Sequence, residues 1–105
     1  MHEMTHVWQY QRGFSVLKSG VVLTCVGGYR HARAYQYLQA ACSAIKPFHL
    51  LNMEQQAEVV AHYFAAEHLH FKQYQSRLPL LRECIQPFLN HPTWLGLLPS
   101  HSRCL

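Results

Sequence analysis

His2-Glu3-Met4-Thr5-His6-Val7-Trp8-Gln9-Tyr10-Gln11-Arg12 reads as a helix that stops at Gly13. Its first five residues form the pattern His-Glu-x-x-His. On an α-helix, residues four apart differ by about 40° in rotation and about 6 Å along the axis, so His2 and His6 can reach one zinc ion. Glu3 is turned about 100° from His2 and about 60° from His6, which lets its carboxylate address a water on that ion. Zinc lowers the pKa of such a water towards about 7; the glutamate takes its proton and delivers it to a leaving amine. By chance, a chain of this composition would contain the pattern about 0.035 times. The competing reading is a helix whose two histidines face solvent or a polar pocket.

A zinc site that keeps a position for water needs a third protein ligand. The segment Asn52-Met53-Glu54-Gln55-Gln56-Ala57-Glu58-Val59-Val60-Ala61-His62 offers one. Asn52 is a good N-cap, and Met53, Ala57, Val60, Phe64 and Phe71 recur at helical spacing, predicting one apolar face through to about Tyr74. Glu54, Glu58 and His62 form a ladder four residues apart beside that stripe. Metal-bound histidines usually donate their other N–H to a carboxylate. Glu54 as ligand leaves Glu58 for that role, whereas Glu58 as ligand leaves only His62; Glu54 is therefore preferred, with Glu58 as the alternative. The competing reading is a solvated helix face carrying a Glu58–His62 pair.

The remaining segments are less specific. Phe14 to Val26 is rich in β-branched residues and broken by Lys18-Ser19-Gly20, which predicts two short strands or a hairpin. Gly27-Gly28 is a turn or loop, Arg33 to Ile45 fits helix or strand, and Lys46-Pro47 ends it. Leu78 to Leu89 reads as a helix with Pro79 in its first turn, and Pro87 as a residue that could shorten it. After Asn90 the chain reads as an irregular cover anchored by Trp94. Tyr35, Tyr37 and Tyr63 could each donate to an oxyanion, although packing with the hydroxyl at the surface is preferred for all three. Glu67-His68-Leu69-His70 reads as surface, because on a helix its two histidines diverge.

With 105 residues, half of them hydrophobic, the chain can bury a core and reads as one small domain over residues 1–105. It has nine Lys/Arg, five glutamates, no aspartate and nine histidines, for a net charge of +4. The basic residues are scattered singly, which argues against nucleic acid as a partner. No apolar run is long enough for a membrane span, and the first residues lack the pattern of a signal peptide. Cys25, Cys42, Cys84 and Cys104 are widely spaced without a CxxC pair, as expected of reduced thiols in the cytoplasm.

His2-Glu3-Met4-Thr5-His6-Val7-Trp8-Gln9-Tyr10-Gln11, followed by Asn52-Met53-Glu54-Gln55-Gln56-Ala57-Glu58, resembles zincin-type metallopeptidase proteins of bacteria, many encoded near type VI secretion spike and Rhs-type genes. The resemblance covers roughly residues 2 to 65 and implies a gluzincin-like site: His2, His6 and a downstream glutamate on zinc, with Glu3 as base. It departs from the family in one respect, since zincin-like proteins carry a β-sheet layer before the motif helix. The expected fold is accordingly α+β and predominantly helical, a truncated zincin-like domain with a short β-hairpin, incomplete at its N-terminus. The expected function is a zinc-dependent peptidase, or an inactive remnant of one, acting on a peptide or protein. The alternative is a non-catalytic binding or assembly module that associates with a secretion-system protein or with a second copy of itself. Location would be cytoplasmic, or outside the cell by a specialised secretion route that needs no signal peptide.

Overall fold

A computed structural model describes residues 1–25, 36–39 and 44–99. Among these, four helices of ten residues or more make up most of the structure: α1 (His2–Gln11), α2 (Val16–Cys25), α3 (Met53–Glu67) and α5 (Leu78–Asn90). A single turn, α4 (Lys72–Gln75), and two 3-10 turns, Phe48–Leu50 and Leu95–Leu97, join them. The fold is therefore predominantly helical, as the sequence predicts.

Gly13 stops α1 in the expected way. It adopts φ +94°, and the N–H groups of Gly13 and Phe14 reach back to the carbonyls of Tyr10 and Gln9, both at 3.0 Å. These bonds satisfy carbonyls that a helix end otherwise leaves without donors. Phe14 then buries against Met53, with Val16 and Leu98 beside it, and sets the course of α2.

The predicted hairpin is not formed: Val16–Cys25 is helical throughout, with Lys18, Ser19 and Gly20 in its interior. Strand propensity largely reports how well a side chain fits a pleated, half-buried surface, and tertiary context overrides it. Here Ser19 is fully buried and Thr24 turns its hydroxyl back to the Gly20 carbonyl at 2.8 Å. β structure among the described residues is limited to Leu38–Gln39 (β1) and Ala44–Ile45 (β2), paired antiparallel with Leu38 opposite Ile45. Gly27-Gly28 and the rest of the ambiguous 33–45 segment lie outside the described residues.

Asn52 caps α3 as predicted. Its Oδ1 accepts from the Gln55 N–H at 2.8 Å, and Gln55 Oε1 accepts from the Asn52 N–H at 3.0 Å, a reciprocal capping box. The helix is shorter than expected, ending at Glu67 rather than near Tyr74. His70 takes φ +58°, the Phe71 N–H turns back to the Ala65 carbonyl, and Gln75 Nε2 donates to the Ala66 carbonyl at 2.7 Å. Phe71, placed on the core stripe by periodicity, is exposed in consequence.

α5 runs from Leu78 to Asn90, with Pro79 in its first turn and Pro87 in its last, where the missing N–H does not prevent the turn from closing. Leu81, Cys84 and Ile85 face Val59 and Val60 of α3 and, with Phe48, Leu51, Tyr37 and Leu97, form the main core. Trp8 of α1 and Phe88 of α5 meet edge to face at 4.9 Å over this cluster. The Cys84 thiol, buried and near Glu83, is pushed up to about 12 and donates to the Lys46 carbonyl. Leu97 anchors the last segment. Trp94, predicted to do so, is 59% exposed, with its indole against Gly96, where a Cβ would come within 2.8 Å of the ring. No helix among the described residues is long and apolar enough to cross a membrane.

Candidate metal centre

α1 and α3 pack side by side, and between them lie the residues singled out by the sequence. His2 Nε2, His6 Nε2 and Glu54 Oε1 converge: His2 to Glu54 is 3.1 Å, His6 to Glu54 2.8 Å, and the two ring nitrogens 3.1 Å apart. The two imidazoles stand edge to face, 4.8 Å between centroids. Glu54 is buried and the histidines are half-buried. Among the described residues, these three are the group of metal-ligating side chains whose donor atoms lie this close together. Donor atoms of zinc's preferred tetrahedron lie about 3.3 Å apart, so the set needs to open by only a few tenths of an ångström to receive the ion.

The far nitrogens of both rings are held. His2 Nδ1 lies 2.9 Å from Glu58 Oε1, and His6 Nδ1 lies 2.9 Å from Gln9 Oε1. The orientation of Gln9 is dictated from below. Gln56 Nε2 donates to the carbonyls of Phe48 (2.9 Å) and Leu97 (2.7 Å), which only accept, so Gln56 Oε1 must take the Gln9 N–H at 3.0 Å. A second Gln9 N–H bond goes to the Met53 carbonyl at 3.1 Å. Gln9 Oε1 is thus an acceptor, His6 Nδ1 carries a proton, and His6 Nε2 faces Glu54.

Sequence reasoning missed Gln9 and Gln56, both fully buried. The available signal was spacing: Gln9 follows His6 by three residues and so shares its face of the helix.

Other candidates fall where their surroundings put them. Glu3 is exposed on α1, close enough to His6 for its charge to favour the imidazolium. Glu58 and His62 do form the pair named in the competing reading, Oε2 to Nε2 at 3.1 Å, while the other Glu58 oxygen meets His2. Burial lowers the His62 pKa, with the charge of Glu58 opposing it. Tyr37 departs from the packing reading: it is buried, and its hydroxyl meets His62 Nδ1 at 2.7 Å and Arg77 Nη1 at 3.1 Å instead of reaching the surface. Burial raises its pKa and Arg77 pulls it back. Tyr63 packs on the main core, while Tyr35 lies outside the described residues. His68 and His70 are exposed as expected, and Glu67 pairs with Arg82 at 2.7 Å. A cavity of about 530 Å³ lies elsewhere, lined by Phe48, Leu80, Pro87, Trp94 and Leu97 among others, and includes none of the three converging residues.

The His6 pKa is raised, chiefly by its hydrogen bond to Glu54; burial opposes this, and Gln9 with the charges of Glu54 and Glu3 adds to it. A raised folded-state value stabilises the fold fully below the ordinary imidazole value of 6.5, and that contribution is lost as pH rises through the higher folded value. In chelator-containing buffer, the excess melting temperature of the wild type over His6→Ala is therefore expected to shrink from pH 6 to pH 8.5. Parallel melting curves across that range would remove the Glu54–His6 bond as its cause.

No protein-family model matches this chain, and no solved structure matches it. Among curated proteins it is similar to the type VI secretion system spike protein VgrG2b of Pseudomonas aeruginosa, 39% identical over 67 residues. That match takes in 61% of this chain and 6% of the much longer spike protein, so the chain is a partial relative of a type VI secretion spike component.

Proposed function

We propose that this chain is a zinc-dependent peptidase-like domain of a type VI secretion system, with His2, His6 and Glu54 as metal ligands and Glu3 as general base. The observation that carries the reading is the convergence of two imidazole nitrogens and one carboxylate oxygen within 3.1 Å of one another, each ring held at its other nitrogen. Three such acceptor atoms repel unless protons or a cation sit among them, and the set is one that zinc favours. Bound there, zinc would supply Lewis acidity, lowering the pKa of a coordinated water and polarising a carbonyl. Glu58 orients His2, and Gln9 orients His6. Glu3, exposed on the same helix as His2 and His6, would take a proton from the attacking water and return it to the leaving amine. The partial likeness to a secretion spike protein supports the association with that apparatus.

Glu3→Gln separates chemistry from binding. On fluorescein-labelled casein, the variant is expected to lose about 10²–10⁴-fold in rate while retaining the wild-type zinc content. Equal rates in the two proteins would take the base role from Glu3.

A second reading, a non-catalytic assembly module, is favoured by a different observation. Met4, Val7 and Tyr10 stand exposed along one side of α1, and Leu17 of α2 is 82% exposed. Apolar side chains so placed suit a face covered by a secretion-system protein or a second copy. Zinc-loaded protein without peptidase activity, sedimenting as a dimer, would favour that reading.

A further inference from the structure

Beyond Glu58, a line of polar contacts runs along α3 and has a defined polarity. Arg77 ends it, and a guanidinium can only donate. Its Nη1 lies 3.1 Å from the Tyr37 oxygen, which must accept. The Tyr37 O–H is then turned to His62 Nδ1, 2.7 Å away, and that nitrogen accepts. A neutral His62 accepting at Nδ1 carries its proton on Nε2 and donates it to Glu58 Oε2 at 3.1 Å. Glu58 Oε1 is directed to the Nδ1–H of His2 at 2.9 Å. Arg77, which only donates, and the Glu58 carboxylate, which only accepts, together leave each link one direction while His62 is neutral.

Packing fixes the same geometry. Tyr74 stacks on His62 at 4.1 Å with 17° between the planes, and the Arg77 guanidinium lies over the Tyr37 and Tyr74 rings at 5.9 and 5.7 Å. The imidazole of His62 thus meets two aromatic rings, each of which also lies against the Arg77 guanidinium.

We propose that Arg77, Tyr37 and His62 are positioning residues for the candidate metal centre: they lock His62 as its Nε2–H tautomer and so hold the Glu58 carboxylate against His2. In the opposite tautomer, the His62 Nε2 lone pair would face the Glu58 oxygen and push the carboxylate off its place. The purpose of the relay rests on the zinc reading above; its proton order does not.

Two measurements test it. The first is a long-range proton–nitrogen correlation spectrum of chelator-treated protein at pH 8, above the ordinary imidazole value, where burial further favours neutral His62. Wild-type His62 is expected as the Nε2–H tautomer alone; Glu58→Gln, whose amide can accept or donate, is expected to keep that tautomer through Tyr37, and Tyr37→Phe/Glu58→Gln to give a mixture, with the backbone amide spectrum reporting that the variants are folded. Wild-type His62 protonated at Nδ1, or a tautomer population that the double variant shares with Glu58→Gln, overturns the proposal. The second is zinc affinity by competition with a chromophoric chelator. Tyr37→Phe and His62→Leu are expected to weaken binding about 10-fold, as loss of a partner behind a ligand does. His62→Gln, whose amide can both donate to Glu58 and accept from Tyr37, is expected to stay within about threefold of the wild type. Unchanged affinity in Tyr37→Phe and His62→Leu would show that the relay positions nothing. A wild type that binds no zinc would sink the metal reading, and the tautomer spectrum would then decide the relay by itself.

Discussion

After exhaustive dialysis the wild-type chain is expected to retain about one zinc ion, while His6→Ala and Glu54→Gln retain almost none. The size of the effect follows from the donor set. Zinc bound by protein ligands is worth about 10–16 kcal/mol, so each of three ligands carries several kcal/mol and its loss weakens binding by about 10²–10³-fold or more. Glu58→Gln should behave differently. Glu58 meets His2 at Nδ1, the nitrogen turned away from His6 and Glu54, so its loss should cost only about 10–100-fold and leave zinc bound at micromolar protein. The contrast between Glu54→Gln and Glu58→Gln decides which glutamate is the ligand. If Glu58→Gln lost the metal and Glu54→Gln kept it, the assignment would be reversed. If the wild type took up no zinc even after it was added back, the assembly reading would stand in its place.

The second large effect is on folding. Gln56→Leu is expected to destabilise the chain by about 3 kcal/mol, because buried polar groups left without partners cost about 1–3 kcal/mol each. The fully buried Gln56 amide joins the Phe48 and Leu97 carbonyls to the Gln9 side chain, linking α1, α3 and both 3-10 turns. Phe48 retains the Leu51 N–H as a donor, so the main losses fall on the Leu97 carbonyl and on Gln9. In urea, the midpoint should fall by about 2 M, a large fraction of what a domain of this size withstands. Gln86→Leu, on the exposed side of α5, is the control and should change stability by less than about 0.5 kcal/mol. A Gln56→Leu protein as stable as that control would show that the buried amide network is not what joins the two helices. Since Gln9 also orients His6, Gln56→Leu should lose zinc affinity as well as stability.

Much of this was legible because it is local. Asn52 and Gln55 cap α3 through bonds spanning three residues, Gly13 ends α1 through its own backbone, and the four-residue spacing of His2 and His6 needs only a helix to align them. Features that depend on distant partners were not. Val16 to Cys25 has the composition of a strand, yet it is helical in a setting where Phe14 is anchored on Met53 and Ser19 is buried. The end of α3 carries no glycine; His70 takes the left-handed conformation and Gln75 reaches back to a carbonyl, neither of which periodicity can signal. Trp94 read as the anchor of the last segment, but Leu97 holds that place while the indole lies over Gly96. At the candidate site, the ligand types were readable from spacing. The glutamines beneath them were not, because their partners are mostly backbone carbonyls far away in sequence.

His6 and Glu54 stand 48 residues apart along the chain, and they meet through side-chain atoms alone. An ion seated between them would work as a removable clasp across that length of chain. By mass action, zinc at a hundred times its dissociation constant would add about 2.7 kcal/mol to the resistance of the fold. The durability of such a domain would then track the metal content of its surroundings: firm where zinc is plentiful, and readily unravelled and digested where it is scarce.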